Sequence, residues 1–194
     1  MADHSIKGKT ALITGGAKNL GRLIALDLAA QGAAAIAIHY NSAATKAEAD
    51  ATVAALTKLG VQAQAFQGDL TTAGANSRLF EAVVAAFGKP DIAINTAGKV
   101  LKKPILQTSE DEYDEMFAVN AKAAYFFIKE AGRHLNDNGK LLTIVTSLLG
   151  AYTPFYSTYA GSKAAVEHVT RAASKEFGSR GISVNAIGPG PMDT

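Results

Sequence analysis

The sequence predicts a doubly wound α/β fold, in which a parallel sheet lies between two layers of helices. Strand-like and helical stretches alternate along the chain, the connections between them are short, and a glycine-rich turn follows the first strand. The chain has 194 residues, of which 48% are hydrophobic, and this is enough for one sizeable core. Because no linker or internal repeat interrupts the alternation, we expect a single three-layer domain over residues 1–194.

Each element of the first half has its own signal. Residues 9–14 (KTALIT) are a short apolar run, as expected of a buried parallel strand. Residues 20–31 carry apolar side chains at helical spacing and end at Gly32, which indicates a helix. Three further elements follow: a strand-like run at 33–40, a helix rich in Ala, Lys and Glu at 43–59, and an alternating strand at 61–67.

The second half of the chain repeats this pattern. Residues 73–87 are helical and end at a Gly-Lys-Pro turn, and residues 91–95 predict a fourth strand. Residues 110–135 predict one long helix that ends in Asn-Asp-Asn-Gly, followed by a strand at 140–146, a helix at 156–180 and a strand at 182–187. In such sheets ligands bind beyond the carboxyl ends of the strands, so we expect the chemistry in the segments that follow them.

Composition excludes several kinds of site. The chain has no cysteine, which excludes disulfides and thiolate metal sites, and its four histidines lack metal-ligand spacing, so we expect no metal. The net charge of +2 comes from interspersed signs, which argues against nucleic-acid binding. Because no apolar stretch is long enough to span a bilayer and the N-terminus is polar, we expect a cytoplasmic protein without a membrane partner.

The turn after the first strand has the composition of a phosphate-binding loop, Thr-Gly-Gly-Ala-Lys-Asn-Leu-Gly-Arg from Thr14 onward. Glycines let the backbone turn sharply and approach a pyrophosphate, and the following helix offers free amides at its positive end. An ordinary strand–helix turn is the alternative, but the position of this one favours a dinucleotide. The candidate cofactor-binding residues here are Gly15, Lys18, Asn19, Leu20 and Gly21.

The segment after the second strand favours NADP(H) over NAD(H). An NAD-dependent enzyme typically places a carboxylate there, which holds the ribose hydroxyls and repels a 2′-phosphate. No acidic residue lies between Ala33 and Ala47, and the strand runs instead into Tyr40, Asn41 and Ser42, which are candidate cofactor-binding residues. The alternative is that Lys18 and Ser42 are only surface residues.

Tyr159 and Lys163 lie four residues apart on a predicted helix and therefore share one face. A free phenol has a pKa of about 10 and is a poor acid or base near neutral pH, but a nearby ammonium favours the phenolate. The two residues are thus a candidate acid/base pair. By itself this short pattern is better explained by an amphipathic helix with an incidental Tyr and Lys, so the interpretation depends on the other motifs.

Taken in order, the motifs resemble those of the short-chain dehydrogenase/reductase family, which has a Rossmann-like fold. The turn is similar to Thr-Gly-x-x-x-Gly-x-Gly, with Asn19 in place of a glycine. Asn tolerates left-handed backbone better than most residues, so we expect the turn to persist. Lys18 lies where many NADP-dependent members carry a basic residue. The segment after the third strand resembles the family's Asp motif beside the adenine, which makes Asp69 and Leu70 candidate cofactor contacts. The segment after the fourth strand resembles Asn-Asn-Ala-Gly, with Thr96 in place of the second Asn, and adds Asn95, Ala97 and Gly98.

The resemblance also implies a catalytic group. In the family, the Tyr protonates the carbonyl oxygen while hydride arrives from the nicotinamide, and the Lys holds the nicotinamide ribose; these roles fall to Tyr159 and Lys163. Ser147 matches the serine that bonds the substrate oxygen. The common family spacing would select Thr146 instead, but Ser147 places Gly150 where the family's glycine follows its serine.

Two further matches, one residue and one loop, complete the resemblance. Asn120 matches the helix Asn that carries a water in the proton relay. Pro189 and Gly190 match the loop that covers the nicotinamide, with Thr194 as a partner of the carboxamide. Tyr152, Phe155 and Tyr156 lie between Ser147 and Tyr159 and border either the substrate pocket or a subunit contact.

The resemblance implies an NADP(H)-dependent oxidoreductase that interconverts a small ketone and a secondary alcohol, nearest to the 3-oxoacyl-[acyl-carrier-protein] reductase-like and carbonyl reductase branch. It also implies a homodimer or homotetramer, paired through the helices at 110–135 and 156–180. Members usually continue with a substrate lid and a seventh strand, so we expect the native chain to extend beyond Thr194. Two other interpretations stay open: a catalytically idle NADP-binding sensor, and another Rossmann-like enzyme such as a methyltransferase.

Overall fold

The computed structural model describes residues 5–192, and its centre is a six-stranded parallel sheet. The strands are β1 (Thr10–Thr14), β2 (Ala35–Tyr40), β3 (Gln62–Gln67), β4 (Ile92–Asn95), β5 (Lys140–Ile144) and β6 (Ser183–Ile187). Their spatial order is β3-β2-β1-β4-β5-β6. The chain therefore reverses its direction across the sheet between β1 and β4, which opens a crevice beyond their carboxyl ends. The predicted doubly wound α/β fold is confirmed.

Helices cover both faces of the sheet. They are α1 (Asn19–Ala30), α2 (Lys46–Lys58), α3 (Ala75–Phe87), α4 (Glu110–Phe117), α5 (Ala123–His134) and α6 (Ser157–Glu176). Along β1, Ala11 and Ile13 face the core under α1 and α2, whereas Leu12 faces the core under α3, α5 and α6. On that second face Phe80 and Phe127 are fully buried, and burial of each contributes about 1.5–3 kcal/mol. Within residues 5–192, none of the helices is long and apolar enough to cross a bilayer.

The prediction of one long helix over 110–135 was wrong in its middle. Ser109 begins α4 with a capping box, in which its hydroxyl accepts from the Glu112 amide. A π-helical turn at Ala118–Lys122 then separates α4 from α5. Such a turn widens the helix locally, and here it accompanies a fully buried polar side chain, Asn120.

The fifth strand is shorter than predicted and ends at Ile144 rather than at Thr146. The Thr146 hydroxyl accepts a hydrogen bond from the Leu148 amide at 3.3 Å, which begins the 3₁₀ turn Ser147–Leu149. Ser147 therefore lies on this turn and not at the end of the strand. The remaining boundaries differ from the predicted ones mostly by one or two residues; the helix predicted from 43 onward opens with a 3₁₀ turn at Ala43–Thr45.

Candidate active site

The turn between β1 and α1 has left-handed backbone at two positions. Gly15 has φ = 65° and Asn19 has φ = 50°. Asparagine is among the few residues with a side chain that adopt this region readily. The expectation that the turn persists with Asn19 in place of a glycine is confirmed.

Close approach requires glycine at two positions of this turn. A Cβ on Gly21 would lie 2.3 Å from the Gly15 carbonyl oxygen, and a Cβ on Gly15 would lie 2.9 Å from Thr96 Oγ1. Thr96 Oγ1 donates to the Thr14 carbonyl at 2.6 Å, and Thr14 Oγ1 donates to Asn95 Oδ1 at 2.6 Å. These bonds tie the ends of β1 and β4 together at the crevice. The first turn of α1 therefore lies directly against the end of β4.

A cleft of about 630 Å³ opens beyond these strand ends, within the size range of small-molecule sites. It is lined by eight of the predicted cofactor-binding residues, namely Gly15, Lys18, Tyr40, Asn41, Asp69, Leu70, Ala97 and Gly98. Nine others within the described residues do not line it: Asn19, Leu20 and Gly21 lie in the turn and in α1, Ser42 follows β2, Asn95 is buried at the end of β4, Tyr159 and Lys163 lie on α6, and Pro189 and Gly190 follow β6. The structure thus brings the turn and the ends of β2, β3 and β4 to one cleft.

The charged side chains along this cleft differ in whether they already have a hydrogen-bond or ion-pair partner. Asp69 accepts from the Thr71 amide and hydroxyl, and these hydrogen bonds lower the pKa of its carboxyl. Glu115 is paired with Lys99. Lys18 and Asn41 are both exposed and line the same cleft, and no acidic residue follows β2 before Glu48. This end of the cleft is therefore suited to an anion.

Sequence reasoning missed several lining residues, among them Thr45, Thr71, Lys99 and Glu115. Thr71 follows the predicted Asp69 motif by two residues, so its hydrogen bond to the Asp69 carboxylate was foreseeable as a local turn. Lys99 and Glu115 come from separate elements and had no local signal.

Asn120 connects the loop after β4 with α6. Its Oδ1 accepts from the Lys99 amide at 2.9 Å, and its Nδ2 donates to the Lys99 carbonyl at 2.8 Å and to Ser162 Oγ at 3.0 Å. The π-helical turn is the element that presents this side chain inward. Asn120 is thereby held by main-chain and side-chain bonds on two sides.

Lys163 is buried close to Asn120. Its ammonium donates to the Ile144 carbonyl at 2.7 Å, and burial lowers its pKa to about 8. A Cβ on Gly98 would lie 3.1 Å from Asn120 Oδ1 and 3.2 Å from Lys163 Nζ. The structure therefore brings Asn120 and Lys163 together behind Gly98, which lines the cleft.

Tyr159 lies on the first turn of α6, one helical turn before Lys163, and is partly exposed. Its ring centroid is 6.4 Å from that of Tyr156. Ser147 is exposed, and its amide donates to the Pro189 carbonyl at 3.0 Å. A Cβ on Gly190 would lie 3.9 Å from Ser147 Oγ, so the loop after β6 lies beside this hydroxyl. Thr194, the predicted carboxamide partner, lies outside the described residues.

Thr146 and Ser147 differ in what their hydroxyls do. Thr146 is buried and its oxygen accepts from the Leu148 amide, whereas Ser147 is exposed at the surface of its 3₁₀ turn. Of the two, the Ser147 hydroxyl is the one with room for a substrate. Across the part of the chain that the structure describes, no cluster of His, Asp or Glu is arranged to hold a metal ion.

Comparison with known proteins gives a consistent set of similarities. A family model described as enoyl-(acyl carrier protein) reductase matches residues 15–194. Hydroxynaphthalene reductase-like protein Arp2 of Metarhizium brunneum (strain ARSEF 3297) is 38% identical over 194 residues, which cover 98% of this chain and 71% of that protein.

Two solved structures are similar over nearly the whole chain. A protein from Burkholderia cenocepacia, described as a dehydrogenase and crystallised with bound NADP, has a TM-score of 0.97 and 67% identity, covering 100% of this chain and 73% of that one. A blue fluorescent protein from a metagenomic library, in complex with NADPH, has a TM-score of 0.93 and 33% identity, covering 98% and 77%.

Proposed function

The chain belongs to the short-chain dehydrogenase/reductase family of oxidoreductases, and on that premise we propose that it is an NADP(H)-dependent enzyme that interconverts a ketone and a secondary alcohol. The observation that carries this proposal is the position of Lys163. Its buried ammonium lies beside Gly98, at the end of the cleft, and one helical turn from Tyr159. Lys163 therefore connects a residue that lines the cleft with the helix that carries Tyr159, which supports an acid/base pair beside the cofactor.

The residues of the cleft fit an NADP(H) cofactor. Left-handed Gly15 lies before α1 and left-handed Asn19 is its first residue, at the amino end where free amides suit a pyrophosphate. Lys18 and Asn41 line the part of the cleft that lacks an acid after β2, which suits a 2′-phosphate. Relatives of known structure carry NADP or NADPH, which supports the same choice. When bound, the cofactor supplies or accepts the hydride.

In this proposal the protein's own residues manage the proton and the substrate oxygen. The Tyr159 hydroxyl gives its proton to the carbonyl oxygen during reduction, and the Ser147 hydroxyl donates a hydrogen bond to the same oxygen. The Lys163 ammonium stabilises the negative charge that then develops on the Tyr159 oxygen. Asn120 bonds both Lys99, in the loop after β4, and Ser162, on α6, and so holds that loop against the helix that carries Lys163.

Substrate-dependent oxidation of NADPH tests this assignment. We expect turnover with at least one member of a ketone panel that includes aromatic ketones and 3-oxoacyl thioesters. Tyr159→Phe removes the proton donor and should lower kcat by at least about 10²-fold, the low end of general-acid contributions. Tyr156→Phe is the matched control, because Tyr156 has the neighbouring ring but lies before α6. Equal turnover by wild type and Tyr159→Phe would contradict the mechanism.

We also propose that the protein assembles as a homodimer or homotetramer and acts in the cytoplasm. Tyr113, Tyr125 and Phe126 on α4 and α5 are large and exposed, which supports an association surface on the helices expected to pair. Light scattering on the purified protein measures its oligomeric state, and a monomer at micromolar concentration would contradict the proposed assembly.

A further inference from the structure

We propose that His39 is a positioning residue for the cofactor, because its ring joins the phosphate-binding turn to the end of β3. The inference rests on the NADP(H) site proposed above and adds a residue to it. His39 is the penultimate residue of β2 and is 3% exposed, so it does not line the cleft itself. It contacts Gly15, which lines the cleft, and Gly68, which precedes the lining residue Asp69.

The two ring nitrogens of His39 have different partners. Nε2 lies 2.7 Å from the Gly68 carbonyl oxygen, and Nδ1 lies 3.4 Å from the Gly15 amide nitrogen. A carbonyl only accepts and an amide N–H only donates, so one neutral tautomer, with the hydrogen on Nε2, satisfies both bonds. Burial lowers the pKa of His39, in keeping with a neutral ring.

The main chain of His39 reinforces the same connection. The Gly16 amide donates to the His39 carbonyl at 3.0 Å, so both the ring and the backbone of His39 contact the turn. Gly68 is followed by Asp69, Leu70 and Thr71, which line the same cleft as Gly15. One buried side chain therefore spans from the turn to the wall expected to hold the adenine.

This arrangement accounts for the use of histidine at the position. Gly15 is held in left-handed backbone, and the hydrogen bond from its amide N–H to His39 Nδ1 fixes the orientation of that peptide. Without the ring, the half-buried Gly15 amide and the half-buried Gly68 carbonyl would lose this partner, and the segments that carry them would be less firmly held. The expected consequence is a weaker cofactor complex rather than a slower chemical step.

The experiment compares dissociation constants of NADPH and of 2′,5′-ADP for the wild type and three variants. His39→Leu keeps bulk but removes both bonds, and we expect both constants to rise about tenfold, the effect of losing roughly one such interaction. His39→Asn places an acceptor near Nδ1 and His39→Gln reaches toward Gly68, so each should recover part of the affinity. The KM for the ketone should not change.

Thr170→Val is the matched control for general destabilisation. Thr170 is buried, and its hydroxyl bonds Val166 and Thr143, far along the chain from the turn. It should lower the melting temperature as much as the His39 variants do while leaving the NADPH affinity within twofold of wild type. If His39→Leu does not fold, the Asn and Gln variants decide. Affinities within twofold of wild type in all His39 variants that fold would overturn the inference, whereas failure of the wild type to bind NADPH would overturn the proposed function instead.

Discussion

The ammonium of Lys163 donates a hydrogen bond to the carbonyl oxygen of Ile144 at 2.7 Å, in a buried position beside Gly98. The bond joins α6 to the last residue of β5. It explains how a long, flexible side chain is fixed beside Gly98 without a carboxylate partner. It also places an ionisable group where desolvation penalises its charge.

Stability should consequently depend on pH in the alkaline range. The Lys163 pKa is about 8 in the folded protein against 10.5 when exposed, so below pH 8 folding carries the full cost of burying the ammonium. Between pH 8 and 10.5 the unfolded chain binds the proton and the folded one does not, so the free energy of unfolding rises with pH, by about 3 kcal/mol at most.

Urea unfolding of the wild type and of Lys163→Met across this range measures the effect. Other groups titrate there too, so the relevant quantity is the difference between the two proteins at each pH. Parallel stability curves would show that Lys163 has an ordinary pKa in the folded state.

The charge of Lys18 should determine the affinity for NADPH but not for NADH. Lys18→Glu places an acid in the part of the cleft that suits a 2′-phosphate, and we expect the NADPH dissociation constant to rise at least about tenfold through repulsion. NADH, which lacks that phosphate, should bind within twofold of its wild-type affinity. Fluorescence titration provides both constants, and Lys58→Glu, at the end of α2, controls for net charge. An equal loss for both cofactors would assign Lys18 to another part of the ligand.

Phe155 has strained backbone, with φ = 73° in a residue that carries a large side chain. Its carbonyl accepts from the Lys103 amide at 2.8 Å, which holds this conformation next to Tyr156. Left-handed backbone costs a residue with a Cβ about 1–2 kcal/mol, so Phe155→Gly should be more stable than Phe155→Ala by about 1 kcal/mol.

Tyr152 supplies the control for Phe155, because it is fully exposed and lies on the same loop without a positive φ. There the order should reverse, with alanine at least as stable as glycine. If alanine were at least as stable as glycine at position 155 as well, Phe155 would not be strained in solution.

Much of this site follows from local patterns. The helical period places Tyr159 and Lys163 on one face, and the turn after β1 has the composition that its left-handed positions require. The alternation of strands and helices was enough to predict a doubly wound sheet with its ligand site beyond the carboxyl ends of the strands; the structure adds that the crevice lies between β1 and β4. These features depend on neighbours within a few residues, which a sequence displays directly.

Other features depend on contacts across the chain and had no local signal. The π-helical turn occurs where Asn120 bonds the main chain of Lys99, 21 residues earlier in the sequence. His39 bonds Gly15 and Gly68, which are 24 and 29 residues away. The depth of Lys163, and with it the lowered pKa, likewise appears only once α6 packs against β5 and β6.

Transfer of deuterium from NADPH to a ketone tests the central claim most directly. The protein is incubated with NADPH that carries deuterium at both C4 positions and with any ketone that supports turnover, and the alcohol is analysed by mass spectrometry. We predict one deuterium on the carbinol carbon of the product in the wild type and no alcohol beyond background with Tyr159→Phe. NADPH consumption without deuterium in an alcohol, or equal labelled product from the Tyr159→Phe variant, would contradict the account.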